Sequence, residues 1–493
     1  MSKGNKKSPS AAERLGPILL ILSKLPMAIK VALLHVLGRS ETSKHLDLKS
    51  NLTVSLLRSV FQDKPKSISK SQAMTLRDPG IKGRIWVSTA ASQVPPEQEI
   101  RDALLAVIEA LGDPKERGSA PTFRIPEIVS VEAEWTGYRA GATKDSTLPA
   151  VSEEEKYREL MKEVKNATTF LYFHGGAYGW CDPCTYRPLV KKLAKLSGGR
   201  AYSVRYRLAP QHPFPSALLD ALVSYFSLLY PPPGSFHEPV SPKHIVLSGD
   251  SAGGNLALAL LQTLLELRRQ NRKIAWFGEE REVPLPAGLA GISPWVDVAQ
   301  TMPSLIRNQK WDYLPAPRLL DEDHQPPADD IWPTTPRRRH VYIDDRYLVH
   351  PLACLQLAAS WKGAPPVYVS CGWECLEDED KYLAARLRRD GVTVMFEEYQ
   401  AMPHVFAGVL STLPESHRNL QGITRFAKAA CDDAVQSSWR MIKTKTLEEV
   451  AIDPDALSSF TDEEVRELAR RKAAEQQQEP LAPPSEASIS ARL

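Results

Sequence analysis

Cysteine is scarce in this chain. Six in 493 residues are too few to hold a domain of this size by disulfides. Cys181-Asp182-Pro183-Cys184 is a lone C-x-x-C without a second pair, so neither a metal nor a redox role is expected for it. Net charge is also nearly absent. The 62 Lys and Arg set against 59 Asp and Glu leave +3, which makes no electrostatic case for a nucleic-acid partner. A long unbroken apolar run is missing too. Residues 16–38 are apolar, but Lys24, Pro26 and Lys30 interrupt them, and the longest charge-free piece is too short to span a bilayer. No small-residue site suggests a cleaved signal peptide. Three readings of 16–38 stay open: a cap helix over an active site, a helix on a membrane surface, and a poor transmembrane anchor. Asn51-Leu52-Thr53 and Asn166-Ala167-Thr168 match the glycosylation pattern, which arises often by chance.

A hydrophobic share of 43% suits a globular protein of one large domain with appendages, or of two domains. Residues 1–10 read as disordered and 11–130 as an N-terminal helical or cap region. Residues 131–440 carry the main pattern, beginning with a strand at Glu134–Tyr138. Strand-like runs at 169–173, 200–204, 244–248, 287–292, 366–370 and 392–399 alternate with helix-like runs at 187–196, 217–229, 256–269 and 380–389. Such alternation implies a mostly parallel sheet with helices on both faces. Residues 299–350 break the rhythm with Pro, Asp and Arg, as lids and binding loops do. Residues 441–493 hold a charged helix that opens at a capping box, Thr461-Asp462-Glu463-Glu464, and then a Gln/Pro/Ser tail expected to be disordered.

Chemistry is concentrated in two motifs. Gly249-Asp250-Ser251-Ala252-Gly253-Gly254 lies between an apolar strand-like run and a long apolar helix-like run. A strand, a tight Gly-x-Ser-x-Gly turn and a helix resemble the nucleophile elbow of the α/β-hydrolases. Bulky side chains at Gly249 and Gly253 would collide with the strand or the helix, and the turn aims the helix N-terminus at the serine. The second motif, His174-Gly175-Gly176-Ala177-Tyr178-Gly179-Trp180, follows the strand-like Phe170-Leu171-Tyr172-Phe173. Adjacent glycines let backbone N–H groups face an open site, where each stabilises an oxyanion by about 3–4 kcal/mol.

Ser251 needs a base, and the base needs a carboxylate to orient it. His324, His340, His350, His404 and His417 follow the serine. His404 lies just after a strand-like run, in Met402-Pro403-His404, where a loop leaves the sheet edge. Four acids follow the strand before it: Glu374, Glu377, Asp378 and Glu379. Glu374 comes first, while the loop is still at the sheet. The other three suit the first turn of the next helix, and Asp378 is the alternative to Glu374.

Together with Tyr206-Arg207-Leu208-Ala209-Pro210, Phe214-Pro215 and Ser293-Pro294-Trp295-Val296-Asp297, these motifs resemble the hormone-sensitive-lipase-like branch of the α/β-hydrolases, the fold-3 esterases. The likeness covers roughly residues 168–430. It implies an α/β-hydrolase fold with a mostly parallel eight-stranded sheet, helices on both faces and a helical cap. It also implies oxyanion donors at Gly175, Gly176 and Ala252. Glu374 stands where the branch usually carries Asp; fungal members are similar in having Gly-Trp-Glu at this point. The implied activity is hydrolysis of carboxylic esters through an acyl-enzyme on Ser251, with His404 as base and Glu374 orienting it. Neither metal nor organic cofactor is required. Short-acyl or acetyl esters of apolar alcohols are the expected substrates, with Tyr178 and Trp180 as candidate pocket residues. An amidase or acyltransferase would use the same triad. A ligand-binding receptor is the alternative of another class, as in plant gibberellin receptors, which resemble this branch but have lost the triad histidine.

The last residues, Ala491-Arg492-Leu493, resemble a small–basic–leucine peroxisomal address, which an import receptor would read. Endoplasmic reticulum membrane and cytosol stay open as alternatives.

Overall fold

Phe170-Leu171-Tyr172-Phe173 is apolar at every position, so a strand built from it needs cover on both faces. The computed structural model, which describes residues 22–63, 65–315 and 326–478, provides that cover. In chain order the strands are β1 (Ile85–Ala91), β2 (Glu132–Tyr138), β3 (Thr169–Phe173), β4 (Arg200–Val204), β5 (Ile245–Asp250), β6 (Ile274–Trp276), β7 (Glu279–Arg281), β8 (Gly288–Ile292), β9 (Val367–Gly372), β10 (Val394–Tyr399), β11 (Ser438–Ile442) and β12 (Glu449–Ala451). Ten of them form one sheet in the order β1-β2-β4-β3-β5-β8-β9-β10-β11-β12, and β6 with β7 makes a separate hairpin. The sheet is parallel from β4 to β11, and β2 and β12 run against their neighbours.

The main helices are α1 (Leu25–Val36), α2 (Leu48–Phe61), α3 (Ile68–Thr75), α4 (Glu99–Leu111), α5 (Glu153–Glu163), α6 (Pro183–Ser197), α7 (Ser216–Leu229), α8 (Ala252–Arg269), α9 (Glu377–Arg389), α10 (Pro414–Cys431) and α11 (Asp462–Gln478). Alternation along β3 divides the core. Leu171 and Phe173 pack with α4, α7 and α8, whereas Phe170 and Tyr172 pack with α6 and α10 on the opposite face. The mostly parallel α/β sheet covered on both faces is therefore as expected.

Two boundaries and the strand number differ from expectation. The sheet begins at Ile85, inside the stretch read as cap, because β1 pairs with β2 along its whole length. It also has ten strands where eight were implied. β11 satisfies the open parallel edge of β10, and Trp439 stacks on Phe396 across the pair. The domain boundary at 440/441 consequently falls inside β11. The capping box at Thr461 is present: its backbone N–H donates to Glu464 (2.8 Å) and the Glu464 N–H donates back to the Thr461 hydroxyl (3.2 Å).

The N-terminal helices divide in character. α2 and α3 pack on loops of the main domain: Val54 packs with Tyr313 and Leu410, and Gln72 donates to the carbonyls of Gly179 and Ala209. α1 contains no buried residue. Among the described residues no helix is long and apolar enough to cross a membrane. The expectations for residues 1–10 and 16–21, for His324, for the centre of the 299–350 segment and for the tail ending at Leu493 lie outside the described residues. The described parts of that segment are packed down, with Trp311, Tyr313, Trp332 and Tyr342 buried.

Candidate active site

Sheet order decides where a site can form. From β3 the chain goes to β4 on one side and then crosses to β5 on the other, which opens a crevice at the carboxyl ends of β3 and β5. Five loops leave that edge from strands adjacent in the sheet: His174–Trp180 after β3, Ser251 after β5, Ser293 after β8, Glu374 after β9 and His404 after β10.

Ser251 sits at φ 52°, ψ −122°, a conformation costing about 1–3 kcal/mol that surrounding structure must enforce. The enforcement is visible. Its N–H reaches the carbonyls of Ile292 (3.1 Å) and Ser293 (3.2 Å), and its carbonyl accepts from Trp295 (2.9 Å). A Cβ on Gly249 would run into the Gly253 carbonyl, and one on Gly253 into the Phe173 carbonyl, so α8 can approach β5 and β3 only through glycine. Ser251 holds the N-cap position of α8, yet its hydroxyl makes no capping bond. It is half-buried, whereas Glu374 and His404 are buried.

Glu374 has both oxygens committed. One accepts from His404 Nδ1 (2.8 Å); the other accepts from the Ser293 hydroxyl (2.7 Å) and the Gly372 N–H (2.9 Å). This fixes the imidazole orientation and leaves Nε2 as the ring nitrogen for chemistry. Burial opposes charge on His404, but the Glu374 carboxylate outweighs it, with Asp312 and Asp250 adding to the effect, and holds the imidazole above its ordinary 6.5. The competing acids have other duties. Asp378 accepts from the Ser304 N–H and pairs with Arg307. Glu379 accepts from the N–H groups of Val296 and Asp297, and Glu377 pairs with Lys381. Among the rival histidines, His350 is buried with Nε2 against the Ile108 carbonyl (2.9 Å), and burial pushes its pKa down to about 4.

Two residues that organise the site escape sequence reasoning. Asp312, fully buried, accepts from the N–H groups of His404 (3.1 Å), Tyr313 (2.7 Å) and Cys375 (2.8 Å), so it ties the base loop to the carboxylate loop. Ser293 links all three elements, because its hydroxyl also accepts from the Val405 N–H (3.2 Å). The Ser293–Asp297 motif was a usable signal; Asp312 lies in the irregular segment with no pattern to mark it.

The glycine loop departs from expectation at Gly175. Its N–H donates to Asp250 Oδ1 (3.1 Å) instead of facing an open site. Asp250 also accepts from the hydroxyls of Tyr172 (2.7 Å) and Tyr186 (2.9 Å), and burial lifts its pKa to about 6. Gly176 stands at φ +106°, and a Cβ there would meet the Trp180 carbonyl. The Gly176 amide and that of Ala252 at the α8 N-terminus are the remaining expected donors. Tyr178 is not a pocket residue. It is fully buried, donates to Asn255 Oδ1 (2.6 Å) and stacks on Tyr342 with centroids 3.6 Å apart. Trp180 is half-exposed, and its indole N–H has no partner among the described residues. All six cysteines are free, and burial raises the Cys181 thiol to about 12. A separate cavity of about 470 Å³ opens between α4 and residues 346–351; neither Ser251, Glu374 nor His404 lines it.

A family model described as alpha/beta hydrolase fold matches residues 170–408. An esterase of Acinetobacter venetianus is 31% identical over 272 residues, which cover 55% of this chain and 78% of that protein. Esterase LipU of Mycobacterium tuberculosis is 32% identical over 262 residues, 53% of this chain and 77% of that protein. An acetyl-hydrolase of Streptomyces hygroscopicus is 28% identical over 286 residues, 55% and 79% respectively. The solved structure of EstE7, an HSL homologue from a metagenome library, aligns with TM-score 0.50 and 24% identity over 78% of this chain and 99% of that one, a likeness of fold.

Proposed function

The chain belongs to the α/β-hydrolase fold family, in its hormone-sensitive-lipase-like branch, and from that premise we propose that it is a serine hydrolase cleaving carboxylic esters. The supporting observation is the His404 Nδ1–Glu374 contact of 2.8 Å, with the other carboxylate oxygen held by Ser293 and Gly372. His404 takes the Ser251 proton through Nε2 as the hydroxyl oxygen attacks the acyl carbon. Glu374 stabilises the resulting imidazolium. The amides of Gly176 and Ala252 receive the oxyanion, while Asp250 holds Gly175 and so fixes the loop that presents Gly176. The alcohol leaves with the proton from His404. Water then attacks the acyl-enzyme, giving one proton to His404, which passes it to Ser251 Oγ as the bond to the acyl carbon breaks and the acid is released.

Short acyl groups on apolar alcohols, sterols included, are the proposed substrates, which would place the enzyme in lipid metabolism. The names of the relatives, an acetyl-hydrolase among them, support the short acyl group. The Gly372-Trp373-Glu374 sequence, similar to that of fungal members, supports a fungal origin. Turnover of a series of nitrophenyl esters by wild type and by Ser251→Ala tests the reading. Loss of activity in the variant is expected, with a preference for short chains; full turnover by Ser251→Ala would overturn it. Adding alcohol and analysing products separates hydrolysis from acyl transfer.

A further inference from the structure

α1 is apolar on both sides, and only one side is covered. A surface helix normally turns its apolar stripe to the core. On α1 and its approach, Leu22, Leu25, Ile29, Leu33, Val36 and Leu37 are all exposed, from 50% at Leu25 to 74% at Val36. Spaced at three, four and seven residues, they fall on one side of the helix. The side facing α2 holds the half-buried Met27, Ala28, Val31 and Leu34 together with polar contacts, Lys24 with Ser59 and Asp63 and His35 with Asn51. These contacts make α1 and α2 an antiparallel hairpin. At the α2 end beside Leu25, Val60 and Phe61 are exposed as well.

Charge points to the partner. Between residues 22 and 82 the described chain has ten Lys and Arg against four Asp and Glu, whereas the whole chain is almost neutral. Three of the four acids are in ion pairs, Glu41 with Lys310, Asp63 with Lys24 and Asp78 with Arg187. The fourth, Asp47, caps α2. An apolar arc set in a basic surface complements an anionic phospholipid surface. Among the described residues the helix has 12 residues, too few to cross a bilayer.

We propose that α1 lies flat on an anionic phospholipid bilayer, with its apolar arc among the acyl chains. The patch is close to the chemistry. Phe61 stacks on Tyr313 (5.8 Å between centroids), and the Tyr313 ring lies 6.1 Å from that of His404. A docked enzyme thus places its catalytic edge beside the membrane, where apolar esters concentrate.

Sedimentation of the full-length protein with phosphatidylcholine vesicles, with and without phosphatidylserine, is the test. Binding to the anionic vesicles, weakened by salt, is expected. The Ile29→Glu/Leu33→Glu double variant should lower the bound fraction by about tenfold or more. Hydrolysis of a soluble nitrophenyl ester by the same variant should be unchanged, which separates failure of docking from failure of the esterase reading. Absence of vesicle binding, as when residues 1–21 or a second copy cover the arc, overturns the proposal. Equal binding by wild type and variant, or a dimer in gel filtration that the variant dissolves, overturns it too.

Discussion

The catalytic edge of the sheet and α1 use apolar and polar residues in opposite ways. At the edge, Glu374, Asp312 and Asp250 are buried, and each is held by at least three hydrogen bonds from surrounding donors. On α1, leucine, isoleucine and valine face outward, opposite a side where Met27, Ala28, Val31 and Leu34 are half-buried beside the polar contacts of Lys24 and His35. Burying an unpaired carboxylate costs several kcal/mol, so the first pattern persists only where geometry must be exact to a fraction of an ångström. Exposing a contiguous apolar arc is unusual on a monomer, so the second marks contact with something else. Arg58 joins the regions: from α2 it donates to the carbonyls of Asp312 (2.7 Å) and Lys310 (2.9 Å).

If this contrast is right, substitutions at the edge should damage chemistry and those on α1 should not. The largest effect is expected from Glu374→Gln. An amide cannot stabilise the imidazolium and offers an N–H where Ser293 and Gly372 also donate, so kcat should fall by about 10⁴. Steady-state kinetics on a nitrophenyl ester reads this directly; a loss of less than tenfold would move the carboxylate role elsewhere. Asp312→Ala comes next. It orphans three buried N–H groups at about 1–3 kcal/mol each, so urea unfolding should show a loss of about 3 kcal/mol or more. In the folded variant kcat should also fall about tenfold to a hundredfold, because the His404 loop is no longer tied to the Glu374 loop.

Much of this was legible beforehand. β3 and β4 coincide with the expected runs; β3 in particular is buried on both faces and nearly all apolar. Ser251, Glu374 and His404 could be nominated because each follows such a strand. β1, β11 and β12 were missed: they lie at the sheet ends, and β11 and β12 are half-exposed and carry charge, so they lack that signature. Tyr178 looked like a pocket residue from its place in the glycine loop. Only the fold reveals that Asn255 and Tyr342 hold it inward. Gly175 misled for a similar reason, since nothing in the motif says that Asp250 takes its N–H.

Two smaller effects sharpen the contrast. In the proposed mechanism His404 must be neutral to accept the serine proton, and Glu374 holds its pKa above 6.5. Activity should therefore be lost as pH falls through a value above 6.5, measured as the acid limb of kcat/KM. A limb below 6.5 would mean that Glu374 does not dominate the imidazole. The smallest effect is expected from Ile29→Glu, which should change unfolding free energy by no more than about 0.5 kcal/mol because the side chain is already in solvent.

The most direct measurement of the central claim is covalent labelling with a fluorophosphonate, read by intact mass and peptide mapping. A single adduct on Ser251 is predicted, with no adduct in Ser251→Ala and slower labelling in Glu374→Gln. An unlabelled wild-type enzyme that still hydrolyses esters, or an adduct on another residue, would contradict it.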